Sequence, residues 1–175
     1  MESQVGPLPF MRVAKPFGMV LLAATVLSGS ADAGTATATF QVTATINPAC
    51  TIQATPLNFG TYAEAQVEGQ STITVTCTNT TGWEVGLNEG SSAGATVGNR
   101  RMTGPGPSSL NYELFTDASR TIIWGDHPAL PGQNTVSGVG TGSAQAVTVF
   151  GRIPASQRTP RPGAFLDTIT ATITF

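Results

Sequence analysis

The sequence predicts an all-β protein of the immunoglobulin-like β-sandwich class, and three observations support this prediction. Apolar and polar residues alternate in several short runs, which is typical of half-buried strands. The 20 Gly and 12 Pro residues cluster between those runs, where turns and loops are expected. No stretch after residue 30 has apolar residues at helical spacing. About seven short strands separated by turns are therefore expected, as in an immunoglobulin-like sandwich.

The first 33 residues have the parts of a secretory signal peptide and are set apart from the fold. These parts are, in order, the basic residues Arg12 and Lys15, the apolar run 17–27, and the cleavage-site residues Ala31, Ala33 and Gly34. The apolar run is shorter than the roughly 20 residues that span a bilayer, so a membrane anchor is not favoured. A start at Met11 is a second hypothesis for the beginning of translation. We expect an exported chain that is cleaved after Ala33.

The first alternating run, Thr35–Asn47, is longer than one strand needs. Its apolar face is formed by Ala36, Ala38, Phe40 and Val42, followed by Ala44 and Ile46. These 13 residues would reach ~43 Å when extended, roughly twice the length of a typical strand. We therefore divide the exported chain into a leading segment, 34–43, and a sandwich domain, 44–175. The simpler alternative, in which residues 35–46 form the domain's own first strand, stays open at this point.

The remaining strands follow in order along the sandwich domain. We predict them at Cys50–Ile52, Ser71–Thr78, Trp83–Leu87, Leu110–Phe115, Thr121–Trp124, Gln145–Phe150 and Phe165–Phe175. Gly- and Pro-rich stretches predict loops over 89–109, 125–142 and 151–163. Alternation places Ile73, Val75 and Cys77 on one buried face, and it places Trp83 in phase with the core.

Cys50 and Cys77 are the two cysteines of the chain. An even number of cysteines in an exported protein predicts a disulfide, and the loop between these two gives it roughly 3–4 kcal/mol in the chain-entropy description. A metal site built on this pair would need His or carboxylate ligands at suitable spacing. The single histidine, His127, lies far along the chain beside Pro128. We predict a Cys50–Cys77 disulfide and no metal or cofactor site.

Charge and polar residues give little support for nucleic-acid binding or catalysis. The formal net charge is −2 and 10% of residues are charged, so no basic patch is expected. Ser119, Asp126 and His127 could supply a hydrolase triad, but the chain has no Gly-x-Ser-x-Gly elbow between a strand and a helix. The glycines of 138–142 lack the spacing of a dinucleotide-binding turn and predict a flexible loop. We expect a structural protein and not an enzyme.

The last predicted strand ends at Phe175 without a further strand to cover its neighbourhood. An open sheet edge exposes unpaired backbone groups and core side chains, which is an aggregation hazard. An extended segment of another copy can fill such a gap by donor-strand complementation. Ala36, Ala38, Phe40 and Val42 suit this role, because they are apolar, lie on one face and follow the predicted cleavage site. Head-to-tail donation does not close on itself and therefore predicts a fibre.

Several short blocks of the sandwich domain carry a family resemblance. They are Cys50–Ile52, Leu57–Tyr62, Val75–Cys77, Leu110–Thr121 with Trp124–Asp126, Val149–Pro154, and Gly163 with Asp167–Thr170. The Tyr-x-Leu-Phe-Thr-Asp and Gly-Arg-Ile-Pro blocks are the most specific of them. Through these blocks the chain from about residue 35 to the end resembles the spore coat protein U domain family.

This resemblance implies a pilin of the archaic (Csu-type) chaperone–usher class, with an incomplete sandwich that is completed by donor-strand complementation. It implies three kinds of partner: a periplasmic chaperone, an outer-membrane usher, and other pilus subunits joined head to tail. It also implies transit through the periplasm, a place in a cell-surface fibre, and a role in adhesion and biofilm formation. Two-domain tip adhesins of this class are much longer, so a shaft or adaptor subunit is expected.

Two alternatives to a pilus subunit stay open from the sequence. The first is a self-contained secreted or spore-coat structural protein that folds without donation. The second is a carbohydrate- or cation-binding module, in which Trp124 would be a surface platform and Asp117, Arg120 and Asp126 would hold the cation. Turn hydrogen bonds and a local ion pair explain these three polar residues more simply.

Overall fold

The structure is a computed structural model that describes residues 33–126 and 134–175. The chain divides into two units, Met1–Thr43 and Ala44–Phe175. In the first unit, residues 33–43 are exposed and form no strand. Most of the predicted signal peptide, with Ala31, lies outside the described residues, as does His127. No helix in the described ranges is long and apolar enough to span a membrane.

The second unit is all-β, as predicted, with eight strands and no helix among its described residues. The strands are β1 Cys50–Ala54, β2 Val67–Cys77, β3 Gly82–Leu87, β4 Arg100–Thr103, β5 Ser109–Phe115, β6 Val136–Val139, β7 Ala144–Ile153 and β8 Ala171–Thr174. One sheet has the order β1-β2-β7-β5-β4, and the other has the order β6-β3-β8. All strand pairs are antiparallel.

The core lies between the two sheets and follows the predicted alternation on the central strands. Ile73, Val75 and Cys77 of β2 are at most 2% exposed, and Trp83 of β3 is 6% exposed. Long-range pairing of β2 with β7, from Val67↔Ile153 to Thr76↔Ala144, holds the larger sheet together. The predicted inward face of β2 and the core position of Trp83 are therefore confirmed.

Two strands lie inside stretches that the sequence predicts to be loops. β4 falls within 89–109, and the first of its inward positions is held by Arg100, which has no exposed surface. A charged residue at a core position gives no apolar alternation, which is why the strand is missed. β6 falls within 125–142, where Gly138 packs against the Trp83 ring and leaves no room for an apolar side chain. The flexible-loop prediction for 138–142 is therefore wrong for its first two residues.

Three further predictions of strand extent need correction. Residues Thr121–Trp124 do not form a strand; Ile123 and Trp124 make single bridges to Phe115 and Asn134. The last strand is confined to Ala171–Thr174, because the preceding residues are held by side-chain and loop contacts instead of a ladder. In the other direction, β7 runs three residues beyond the predicted end at Phe150, as far as Ile153.

Candidate functional site

The candidate site is an apolar groove at the two sheet edges formed by β1 and β8. Among the described residues β1 pairs with β2 alone and β8 pairs with β3 alone, so each is an edge strand. These two edge strands, one from each sheet, also pack against each other. The groove therefore lies where the two layers of the sandwich meet at an open side.

A cavity of about 360 Å³ in this groove reaches the hydrophobic core. The segment after β1 contributes Leu57 and Phe59 to its lining, and the segment before β8 contributes Phe165 and Ile169. Core residues contribute further apolar lining, namely Ile73, Leu87, Met102, Tyr112, Leu114 and Val149. An apolar lining with few polar groups favours an apolar occupant.

The groove side of β8 is less covered than that of its partner strand. Ala171 and Ile173 of β8 are half-buried, whereas their register partners Leu87 and Val85 in β3 are at most 2% exposed. Beyond the strand, Phe175 is 57% exposed. Apolar side chains along an unpaired strand edge form a surface that another strand can cover.

A second cavity, of about 990 Å³, lies at the disulfide end of the domain. It is lined by 46–51, 76–82, Gly142 and Phe175. Ile46 contributes a side chain that is 87% exposed. Phe175 thus links this cavity to the end of β8, and exposed apolar groups flank the open edge at this end.

The segment Phe165–Thr170, which we call the groove wall, is held in place by Asp167. The carboxylate accepts hydrogen bonds from the Tyr112 hydroxyl at 2.7 Å and from the Ser91 N–H and hydroxyl at 2.7 and 2.8 Å. Burial, and next the hydrogen bond to Asp167, raise the pKa of Tyr112 above its ordinary value. The Tyr112 hydroxyl therefore stays protonated as a donor to the wall.

A buried arginine stabilises the loops beneath the wall. Arg100 donates hydrogen bonds of 2.8–2.9 Å to the carbonyl oxygens of Leu87, Asn88, Val97 and Trp124. Burial lowers the pKa of its guanidinium, and the nearby Glu113 carboxylate opposes that shift. Four carbonyl acceptors satisfy a charge that would otherwise be costly to bury. Asn88 in turn bonds to Thr170 at the end of the wall.

The predicted disulfide is confirmed. Cys50, the first residue of β1, is bonded to Cys77, the last residue of β2, and the two are register partners. The bond anchors β1, one of the two groove edges, to the interior of its sheet.

The predicted donor residues lie in the first unit and are exposed: Ala36, Ala38, Phe40 and Val42. Phe40 and Val42 are 86% and 85% exposed. Ala33 and Gly34 of the predicted cleavage site are exposed as well. The donor role, the cleavage site and the division at 43/44 stay predictions.

The hypothesis of a Trp124 platform on the surface is wrong. Trp124 has no exposed surface, and its indole N–H donates to the Val85 carbonyl oxygen at 2.9 Å. Asp117 accepts hydrogen bonds from the backbone N–H groups of Ile122 and Thr121, and the bond from Ile122 holds the pKa of its carboxyl below the usual range. Arg120 pairs with Glu68 at 2.9 Å. The described residues bring no three metal-ligating side chains together.

Sequence reasoning missed the side chains that shape the groove. Asp167 stands in one of the family blocks, but no periodicity indicates that its carboxylate joins the wall to β5 and to the loop after β3. The sequence did not indicate Arg100 either, because three of its four acceptors, the carbonyl oxygens of Leu87, Asn88 and Trp124, lie 12 or more residues away along the chain. Leu57 and Phe59 were identified only as part of the family block Leu57–Tyr62, whereas they line the groove.

Comparisons with known proteins agree with this architecture. The sequence pattern of the Spore Coat Protein U domain matches residues 36–172. Protein U of Myxococcus xanthus is 34% identical over 170 residues, which is 87% of this chain and 92% of that protein. A solved chaperone–tip adhesion subunit pre-assembly complex, from archaic chaperone–usher Csu pili of Acinetobacter baumannii, matches with 27% identity and a TM-score of 0.55. That match covers 75% of this chain and 40% of the other. The chain belongs to the Spore Coat Protein U domain family.

Proposed function

We propose that this chain is a structural subunit of a surface pilus that is assembled by strand exchange along the chaperone–usher route. The groove of one copy takes the leading segment, 34–43, of the next copy or of a related subunit. The leading segment of the first copy enters the groove of another. The observation that carries this proposal is a groove at an unpaired strand edge that opens onto the core.

The leading segment suits the groove in length, charge and pattern. Residues 34–43 contain no charged side chain, and Asp167 is the one carboxylate among the lining residues. Ten extended residues reach about 33 Å, which matches the eleven residues of wall and strand from Phe165 to Phe175. Small side chains at Ala36 and Ala38 and larger ones at Phe40 and Val42 would face the core. The backbone of the segment would complete the ladder of β8.

The family and the solved complex support the proposed partners and location. In that complex a chaperone is paired with a tip adhesion subunit of Csu pili. For this chain we propose a periplasmic chaperone that protects the groove, an outer-membrane usher, and export to the cell surface after cleavage of residues 1–33. The role is structural and not catalytic, and it supports adhesion and biofilm formation.

A self-contained coat protein is the second candidate function. The identity of 34% with Protein U, over 92% of that protein, favours it. In this case the leading segment would cover the groove of its own copy, and the protein would be a stable monomer. The two candidates differ in what happens when the apolar face of the leading segment is destroyed.

Phe40→Asp tests the proposed function, with Thr39→Asp as a matched control. Both variants add one carboxylate to the leading segment, but only Phe40 belongs to its apolar face. Burying an unpaired carboxylate in the groove is strongly unfavourable, so Phe40→Asp should abolish fibres, seen by electron microscopy and by size-exclusion chromatography. Thr39→Asp should leave them. The exported Phe40→Asp subunit should remain folded.

Deletion of residues 34–43 should have the same effect on assembly. Fibres that persist after both changes would overturn the pilus proposal. A wild-type protein that is strictly monomeric and stable, and that only loses stability in Phe40→Asp, would establish the self-contained alternative.

A further inference from the structure

We propose that Asp167 is a positioning residue for strand uptake, because its carboxylate holds the groove wall, Phe165–Thr170, in the place that an incoming strand needs. This inference rests on the proposed function. It concerns the acceptor side of the groove, for which the sequence indicated no particular residue.

The Asp167 carboxylate joins three parts of the domain at one point. One oxygen accepts a hydrogen bond from the Tyr112 hydroxyl on β5 at 2.7 Å. The other accepts from the N–H and the hydroxyl of Ser91, in the loop after β3, at 2.7 and 2.8 Å. The same oxygen accepts from the N–H of Thr168 at 2.8 Å, within the wall itself. Hydrogen bonds to an ionised acceptor are the stronger kind, so this junction is the firmest tie of the wall.

Outside this junction the wall is held by few backbone contacts. Leu166 exchanges two hydrogen bonds with Thr103 at the free edge of β4, at 2.8 and 3.0 Å. Thr170 bonds to Asn88 through its N–H and its carbonyl oxygen, at 2.8 and 3.1 Å. Between these two points no residue of the wall belongs to a strand. Asp167 lies between them and fixes the middle of the wall.

Gly90 provides independent evidence that the close approach of Asp167 is built into the fold. Its φ angle is 95°, which favours glycine, and a Cβ atom at this position would overlap the Asp167 carboxyl group. The loop after β3 thus leaves space for the carboxylate to lie directly against it. Tyr112, the donor to Asp167, is itself fixed in place. It is 4% exposed and packs edge-on against Phe59, with 6.0 Å between the ring centroids.

The position of the wall determines the starting point of the free edge. β8 begins at Ala171, immediately after the wall, and Ala171 pairs with Leu87 just before the loop that holds Ser91. A wall without its carboxylate tie would sample several positions, and an incoming strand would have to order it during binding. Ordering the wall on binding lowers the affinity, and affinity differences between variants of one interface lie mostly in the dissociation rate. Asp167→Asn should therefore release a bound strand faster.

The experiment uses the Phe40→Asp subunit, which is expressed as the full-length sequence and exported. This subunit can accept a strand but cannot donate one. The probe is a fluorescent peptide with the sequence of residues 34–46, and its dissociation is followed by anisotropy after addition of unlabelled peptide. We expect Asp167→Asn to accelerate dissociation about tenfold, which corresponds to the loss of about one charge-assisted hydrogen bond. Tyr112→Phe, which removes one donor and keeps the ring, should have a smaller effect in the same direction.

Asp117→Asn is the matched control, because it also removes a carboxylate that accepts backbone hydrogen bonds but lies outside the groove lining. It should lower the melting temperature and leave peptide dissociation unchanged. If Asp167→Asn does not fold, Tyr112→Phe decides the outcome by the same measurement.

The outcomes separate this inference from the proposed function. If the peptide binds and Asp167→Asn, or Tyr112→Phe in its place, releases it at the unchanged rate or more slowly, the positioning role of Asp167 is overturned and the pilus proposal stands. Both proposals fall if the Phe40→Asp subunit with Asp167 intact binds neither the wild-type peptide nor a peptide that carries Phe40→Asp.

Discussion

At the scale of single residues, Glu113 has a carboxyl group whose protonation depends on folding. It is half-buried on β5, and its Oε2 has no hydrogen-bond partner among the described residues. Burial raises its pKa from 4.5 to about 7, and the Arg100 guanidinium opposes the shift. The folded state thus binds this proton more tightly than the unfolded chain. The stability that protonation contributes is fully present below pH 4.5 and is lost as the pH rises through about 7.

Glu113→Gln should remove this loss, since the amide stays neutral at every pH. Above pH 7 the variant should exceed the wild type by roughly 2 kcal/mol in free energy of unfolding, and the difference should vanish near pH 4. Urea unfolding at about pH 4, 6 and 8 measures this, with the exposed Glu89→Gln as control. A difference that does not change with pH would show that folding leaves the pKa of Glu113 unshifted.

How much a sequence predicts at this scale depends on whether a residue acts through its own strand. Ile73, Val75 and Cys77 are buried because they alternate along β2, and alternation is visible in the sequence. Arg100 and Trp124 are buried because they bond to carbonyl oxygens contributed by other elements. Such partners are fixed only when the sheets assemble. The sequence therefore left the place of Trp124 open and did not indicate Arg100 at all.

At the scale of elements, β1 depends on the disulfide because it is a short edge strand of five residues. Replacing Cys50 and Cys77 together by Ala should lower the free energy of unfolding by about 3–4 kcal/mol, as expected for a 27-residue separation. Urea unfolding measures the loss, and the wild type under reducing conditions should coincide with the double variant. A loss well below about 1 kcal/mol would mean that β1 is held by its ladder and core contacts alone.

The same scale shows where period-two patterns mislead. The predicted strand Phe165–Phe175 alternates strictly from Thr168 onward, yet only Ala171–Thr174 joins a ladder. The wall before it is engaged by Asp167 and Asn88, so its alternation serves the groove lining and not a strand. β6 shows the opposite case, since Gly138 must be small to accommodate Trp83 and thereby hides a real strand from any hydrophobicity pattern.

At the scale of the whole molecule, the sequence predicted an open edge but not the groove that goes with it. The lining includes the segment after β1 and the segment before β8. These two strands belong to different sheets, and the two segments lie near opposite ends of the domain's sequence. Pattern analysis treats each run by itself and so cannot bring these segments together. The leading segment shows the reverse limit. Residues 35–43 alternate like a strand but form none, because a strand also requires a hydrogen-bonded neighbour.

A fused copy of the leading segment tests whether the groove is the missing part of the fold. Residues 34–46, appended after Phe175 through a short Gly- and Ser-rich linker, should enter the groove of their own molecule. Burial of a Phe and a Val side chain should raise the free energy of unfolding by at least about 3 kcal/mol and keep the protein monomeric. The control carries Phe40→Asp in the appended copy alone. It should show neither the increase in free energy of unfolding nor an occupied groove. Equal stability of the fusion and its control, measured by urea unfolding, would mean that the sandwich is already complete without a donated strand.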